Sequence, residues 1–171
     1  VTLGPTLING IPAHPLLAHA VVVLVPLAAL CLVACAAWPS VLRRFGVVLP
    51  LMALVVLVLV PLTTNAGEWL EERVRESSLL EEHAELGEGM LPWAVGLLAA
   101  SVLVWLLHRK PPHPVPQRGG KDVTARTRTW PRWVALFLSV VVAAGAVVQV
   151  YRIGDSGARS VWRGAFSATA D

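Results

Sequence analysis

Four stretches without a single Asp, Glu, Lys or Arg constrain this chain more than anything else in it: residues 16–37, 45–62, 90–107 and 133–150. A hydrocarbon core about 30 Å thick is crossed by roughly 20 helical residues, with 17–25 tolerated. Each stretch meets that length. In lipid every backbone N–H and C=O has to be bonded within the chain, so each stretch is expected to be a transmembrane helix. With 171 residues and 56% of them hydrophobic, the chain reads as one membrane domain, 1–171, rather than a soluble enzyme. The expected fold is all-α: a four-helix transmembrane bundle.

Charge in the gaps orients the bundle. The first gap carries Arg43 and Arg44; the third carries Arg109, Lys110, Arg118, Lys121, Arg126, Arg128 and Arg132. Basic residues beside spans stay on the cytoplasmic side. The second gap holds Glu68, Glu71, Glu72, Glu76, Glu81, Glu82, Glu85 and Glu88 against Arg73 and Arg75, and is expected to face outward. An even number of spans then puts both termini outside, although Arg152, Arg159 and Arg163 in the C-terminal tail weigh against this. Trp38, Trp93, Trp130, Trp133 and Trp162 fall near span ends, where aromatic rings anchor at the interface. The pI near 9.4 therefore reports topology and does not imply a nucleic-acid partner.

Cys31 and Cys35 lie within the first span and read as small packing residues. Leu32-Val33-Ala34-Cys35 has the form of a lipobox, but no Lys or Arg precedes it, so residues 1–34 are expected to remain part of the protein.

Residues 1–13 read as an irregular leader, and the first helix is expected to start near Pro15, with His14 just outside it. The second helix is expected to end around Pro61-Leu62-Thr63-Thr64. An amphipathic cap over 66–88 follows, as two short helices, 66–76 and 79–86, with Asn65/Glu68 and Ser78/Glu81 as capping boxes. At 100° per residue, Leu79, Leu80, Leu86 and Gly87 surround His83 on one face, while Glu81, Glu85 and Glu88 share the other. His83 is thus expected to point inward. Residues 108–129, rich in Pro, Gly and basic residues, read as a flexible cytoplasmic linker; Gly154 is expected to end the fourth helix.

This topology sends His14, His19, His83 and Asp155 to the outer end of the bundle. Imidazole and carboxylate are ligands of zinc and of iron, and an ionisable group near membrane depth points to function. The four are candidate ligands of a transition-metal ion. Haem would need two facing imidazoles, for which the sequence offers His19 and His83. The competing reading makes the same residues a hydrogen-bond network in a structural or assembly subunit without a cofactor. Gly154-Asp155-Ser156-Gly157 matches the nucleophile loop of trypsin-like proteases, but four helices cannot supply the β-barrels that chemistry needs. No catalytic residues are assigned.

Three segments carry a family resemblance: Asn9-Gly10-Ile11-Pro12-Ala13-His14-Pro15-Leu16-Leu17-Ala18-His19, Glu82-His83-Ala84-Glu85-Leu86-Gly87 and Arg152-Ile153-Gly154-Asp155-Ser156-Gly157-Ala158. Together the chain from Asn9 to Trp162 resembles the bacterial membrane family known as domain of unknown function 2231. The resemblance implies a four-span inner-membrane protein, and some members are fused or linked to redox modules such as Rieske proteins. Many members have His where this chain has Asp155, and Phe-Pro where it has Ala20-Val21. The expected partners are the lipid bilayer and a redox or other membrane protein.

Overall fold

The computed structural model describes residues 4–75, 77–109 and 130–163. Residues Leu7–Ile8 (β1) and Ile11–Pro12 (β2) pair as an antiparallel hairpin. Six helices follow: Ala13–Ala37 (α1), Pro39–Phe45 (α2), Val48–Glu71 (α3), Ser78–Glu88 (α4), Leu91–Arg109 (α5) and Trp130–Trp162 (α6).

Four of the helical stretches are long and apolar enough to cross a membrane, and only 28–33% of each apolar window is buried in the bundle. The remainder is a belt of exposed Val, Leu and Phe, such as Val23, Leu30, Val58 and Phe137. A water-soluble protein does not carry that much contiguous apolar surface; a lipid-facing one does. Helix α1 packs against α3 and α6, and α5 packs against the same two. The seam between them is built from small residues, including Ala28, Ala29, Ala53, Ala94, Ser139, Ala143 and Ala146, with Leu32, Leu49 and Leu97 filling the larger gaps. Small side chains let helix backbones approach where lipid offers no hydrophobic drive for association. Cys35 is buried in this seam and Cys31 borders it; both are free thiols.

Several local expectations are corrected. The leader is ordered where it meets the bundle. Asn9 (φ 50°) and Gly10 (φ 79°) both take positive φ, as the two central residues of a type I′ hairpin must. The Ala13 N–H donates to the Thr6 carbonyl at 2.9 Å, which ties the hairpin to the start of α1. Helix α1 therefore includes His14, and Pro15 occupies the first turn, where no intrahelical N–H partner is lost.

Helix α3 runs through Pro61 to Glu71 instead of stopping. The hydroxyls of Thr63 and Thr64 donate to the carbonyls of Leu59 and Val60, supporting the turn around the proline. Residues 66–71 of the expected separate helix 66–76 are thus the end of the span, 72–75 are not helical, residue 76 lies outside the described residues, and Asn65 lies in the interior of α3. Helix α4 is capped one residue earlier than expected: Ser77 Oγ accepts from the Leu80 N–H at 3.2 Å. Between the first two spans, α2 forms with Pro39 in its first turn and ends at Gly46, whose φ of 52° turns the chain into α3. Helix α6 does not end at Gly154. It continues two more turns to Trp162, with Asp155 and Arg159 paired across one turn. The linker expected over 108–129 lies, beyond Arg109, outside the described residues.

A His14–His83 pair at the end of the bundle

Alternating helix directions bring five segments to one end: the start of α1, the end of α3, all of α4, the start of α5 and the end of α6. Helix α4 packs on α6 and on α3. Two imidazoles meet there. The rings of His14 (α1) and His83 (α4) lie 6.1 Å apart between centroids, at 86° to each other.

Each ring is held through Nδ1. His14 Nδ1 is 2.9 Å from the Thr63 carbonyl of α3. A carbonyl only accepts, so Nδ1 carries the proton. His83 Nδ1 is 3.0 Å from Ser156 Oγ of α6, and that hydroxyl donates its own proton to the Ile153 carbonyl at 2.9 Å. Ser156 therefore accepts from His83, whose Nδ1 is the protonated nitrogen too. The hydrogen-bond network assigns the same tautomer to both rings. Among the described residues the side-chain bonds of both rings are made at Nδ1, which leaves Nε2 as the acceptor nitrogen of each neutral ring.

Two glycines make room. A Cβ at position 67 would stand 2.9 Å from His14 Nδ1, and one at position 157 would stand 2.9 Å from His83 Cε1. Both are closer than real Cβ contacts allow. A third polar tie joins α6 to α4: buried Gln149 donates from Nε2 to the Leu86 carbonyl at 2.6 Å, serving one of the last four carbonyls of α4.

The other two residues singled out in the sequence have different partners. His19 is exposed, and its Nδ1 bonds the Pro15 carbonyl at 2.6 Å within α1. It follows His14 by five residues, which turns it about 140° around the helix. Asp155 is partly exposed and forms a salt bridge with Arg159. The imidazole pair is thus His14 with His83, not His19 with His83. Among the described residues no three His, Cys, Asp or Glu side chains converge as a metal site.

Thr63 carries no sequence motif, and the motif that contains Ser156 gives no hint of this role. Ser156 does have a positional signal: Ser139, Ala143, Ala146, Gln149, Ile153 and Ser156 recur every three or four residues. That is the stripe of α6 facing the bundle. Asp155 lies one residue, about 100°, off that stripe.

A cavity of about 400 Å³ adjoins the pair. Its walls include Val21, Val60, Leu80 and Ile153 along with both imidazoles; Glu68, Glu71 and Arg75 also line it.

Burial pulls the His83 pKa below its ordinary 6.5, and the neighbouring His14 pulls the same way; the Ile153 carbonyl and Glu71 oppose them. A folded-state pKa below the unfolded one gives stability that is complete above the unfolded value and is lost as pH falls. Thermal stability is therefore expected to decline as pH drops below about 6.5 towards the lowered folded value. His83→Gln is expected to flatten that part of the profile. Equal slopes in both proteins, measured by thermal unfolding in detergent, would contradict the assignment.

No curated protein and no solved structure matches the chain. One protein family does, and its match spans residues 10–170, which include both imidazoles and the whole of α6. Its description, a predicted membrane protein, agrees with the four apolar helices. On that match the chain belongs to the membrane protein family DUF2231.

Proposed function

We propose that this is a membrane protein accessory to a membrane redox system, with the His14–His83 pair as its ligand centre and a transition-metal ion as the ligand. One observation carries the reading: two neighbouring imidazoles are fixed through Nδ1 and keep Nε2 as their acceptor nitrogen beside a cavity. Holding a ligating histidine through its second nitrogen is how metal sites set tautomer and ring orientation. Metal–nitrogen bonds of about 2.0–2.1 Å place two imidazoles on one tetrahedral ion at a centroid separation of roughly 5.2 Å, so from the observed 6.1 Å the rings would close by about 1 Å on binding. The resemblance to a family with Rieske-linked members supports the redox context.

Metal analysis with an absorbance spectrum tests this. The expected result is one equivalent of metal per chain, lost in His14→Ala and in His83→Ala. His19→Ala and Asp155→Ala measure whether those two sequence candidates add ligands; from their present partners both variants are expected to keep the metal. An intense Soret band would mark haem. Protein that stays colourless and takes up no metal would favour the second reading.

In that second reading the chain is a structural or assembly subunit. The same bonds speak for it, since His14 ties α1 to α3 and His83 ties α4 to α6.

The proposed setting is the bacterial inner membrane, with the histidine pair and both termini outside. The basic residues of the first and third gaps support it. Single cysteines at Glu72 and Gly119, in a background lacking Cys31 and Cys35, report orientation through a membrane-impermeant thiol reagent on intact cells. Labelling at 72 but not 119 is expected; the reverse would invert the topology.

A further inference from the structure

The cavity beside the histidines is larger than an ion requires. A water molecule occupies about 30 Å³ of liquid, so an ion with its waters fills a minor part of about 400 Å³. That volume is the size of a small organic ligand site. Its walls are mostly apolar, from Val60 and Met90, each 2% exposed, to Val22, which is 45% exposed on a membrane-spanning helix. One end thus lies in the core and another reaches the lipid-facing surface of α1.

The polar side of the cavity has a definite sense. Both imidazoles spend their N–H on Thr63 and Ser156, so what they retain as neutral rings is acceptor capacity alone. The carboxylates Glu68, Glu71 and Glu88 are also acceptors; the Thr63, Thr64 and Ser160 hydroxyls donate to backbone carbonyls of their own helices, which leaves Arg75 and the Ser77 hydroxyl as side-chain donors on the lining. A molecule whose head offers only carbonyl or ether oxygens would set lone pairs against lone pairs at the histidines. One whose head carries hydroxyl groups would satisfy them.

From this we propose that the cavity binds a lipid-soluble molecule with a neutral, hydroxyl-donating head. The head would lie at His14 and His83 and its chain along the valine-lined wall. This rests on the reading of the pair as the ligand centre. An ion and such a molecule would compete for the same lone pairs, so the test is run on chelator-treated protein, and a failure to bind metal does not bear on it.

The experiment uses the full chain in detergent micelles and two hydroxyl probes, a decyl-substituted hydroquinone kept reduced and a short-chain diacylglycerol. Each is compared with its capped partner, the dimethyl ether or the acetylated glyceride. Isothermal titration is expected to show saturable binding of one or both hydroxyl probes at one per chain, about tenfold tighter than the capped partner. The probe that shows the preference identifies the source of the head group. His14→Phe and His83→Phe are expected to reduce that preference, and Leu80→Trp to block binding by filling the cavity. Circular dichroism checks that each variant remains helical, and Leu80→Trp leaves both histidines in place should the other two misfold. No saturable binding of either hydroxyl probe, equal binding of the capped compounds, or wild-type affinity in Leu80→Trp would each overturn the proposal.

Discussion

Gly145→Ala is expected to destabilise the bundle by about 2 kcal/mol, whereas Gly154→Ala, nine residues along the same helix, is expected to stabilise it. Both glycines lie inside α6 and neither has positive φ. Alanine in a helix interior is favoured over glycine by about 1 kcal/mol, so propensity alone would stabilise both variants. Surroundings separate them. A Cβ at position 145 would fall within the Trp93 ring of α5, while one at position 154 meets nothing within 4 Å. Trp93 packs against the buried core, so it cannot swing away without opening the α5–α6 seam. Overpacking of this kind costs about 3 kcal/mol, which exceeds the propensity gain. Trp93→Leu is expected to recover much of the loss in the double variant. Unfolding in mixed micelles measures all four proteins. A neutral Gly145→Ala, or no rescue by Trp93→Leu, would mean that α5 and α6 do not cross there.

The second large effect is expected at the glycines beneath the imidazoles. Gly67→Ala and Gly157→Ala should each separate His14 from His83. The added methyl at 67 meets His14 Nδ1 at 2.9 Å, in competition with the Thr63 carbonyl; at 157 it meets His83 Cε1 at 2.9 Å and Nδ1 at 3.3 Å, beside Ser156. A half-buried ring that loses its partner leaves a polar group unsatisfied, at about 1–3 kcal/mol. The helix propensity of alanine offsets about 1 kcal/mol of this. The net stability change is therefore modest, and the large change is at the site: ligand binding at the pair is expected to fall at least tenfold. Gly154→Ala, with open space around its Cβ and a position off the cavity lining, is the control and should bind as the wild type does. If Gly157→Ala binds equally well, the close approach of α6 to His83 is not what positions the ring.

What the sequence made legible follows from the kind of signal each feature leaves. The spans were readable because lipid imposes a long, unbroken apolar requirement that little else in a sequence imitates. Helix ends were less readable. Pro61 and Gly154 look like terminators, yet threonine back-bonds and an Asp155–Arg159 pair carry both helices past them. Asn9-Gly10 is a hairpin signal in its own right, and the brevity of its strands hid it. At the site, the inward face of His83 was legible from the leucines around it. Its partner was not, because His14 and His19 are both polar residues near the start of α1 and only the rotation of that helix distinguishes them. Asp155 drew attention by its charge, while Ser156, on the buried stripe beside it, holds the ring. Thr63 contributes a carbonyl, which no side-chain pattern can announce.

The most direct test of the histidine pair is solid-state nuclear magnetic resonance on chelator-treated protein in lipid bilayers at pH 7.5, with ¹³C,¹⁵N-labelled histidine. Signals are assigned by single-histidine variants. The expected spectrum has His14 and His83 both protonated at Nδ1 and bare at Nε2, with carbon–carbon contacts between the two rings that fit a centroid separation of 6.1 Å. Protonation of either ring at Nε2, or the absence of inter-ring contacts while His14 and His83 are both visible, would contradict it.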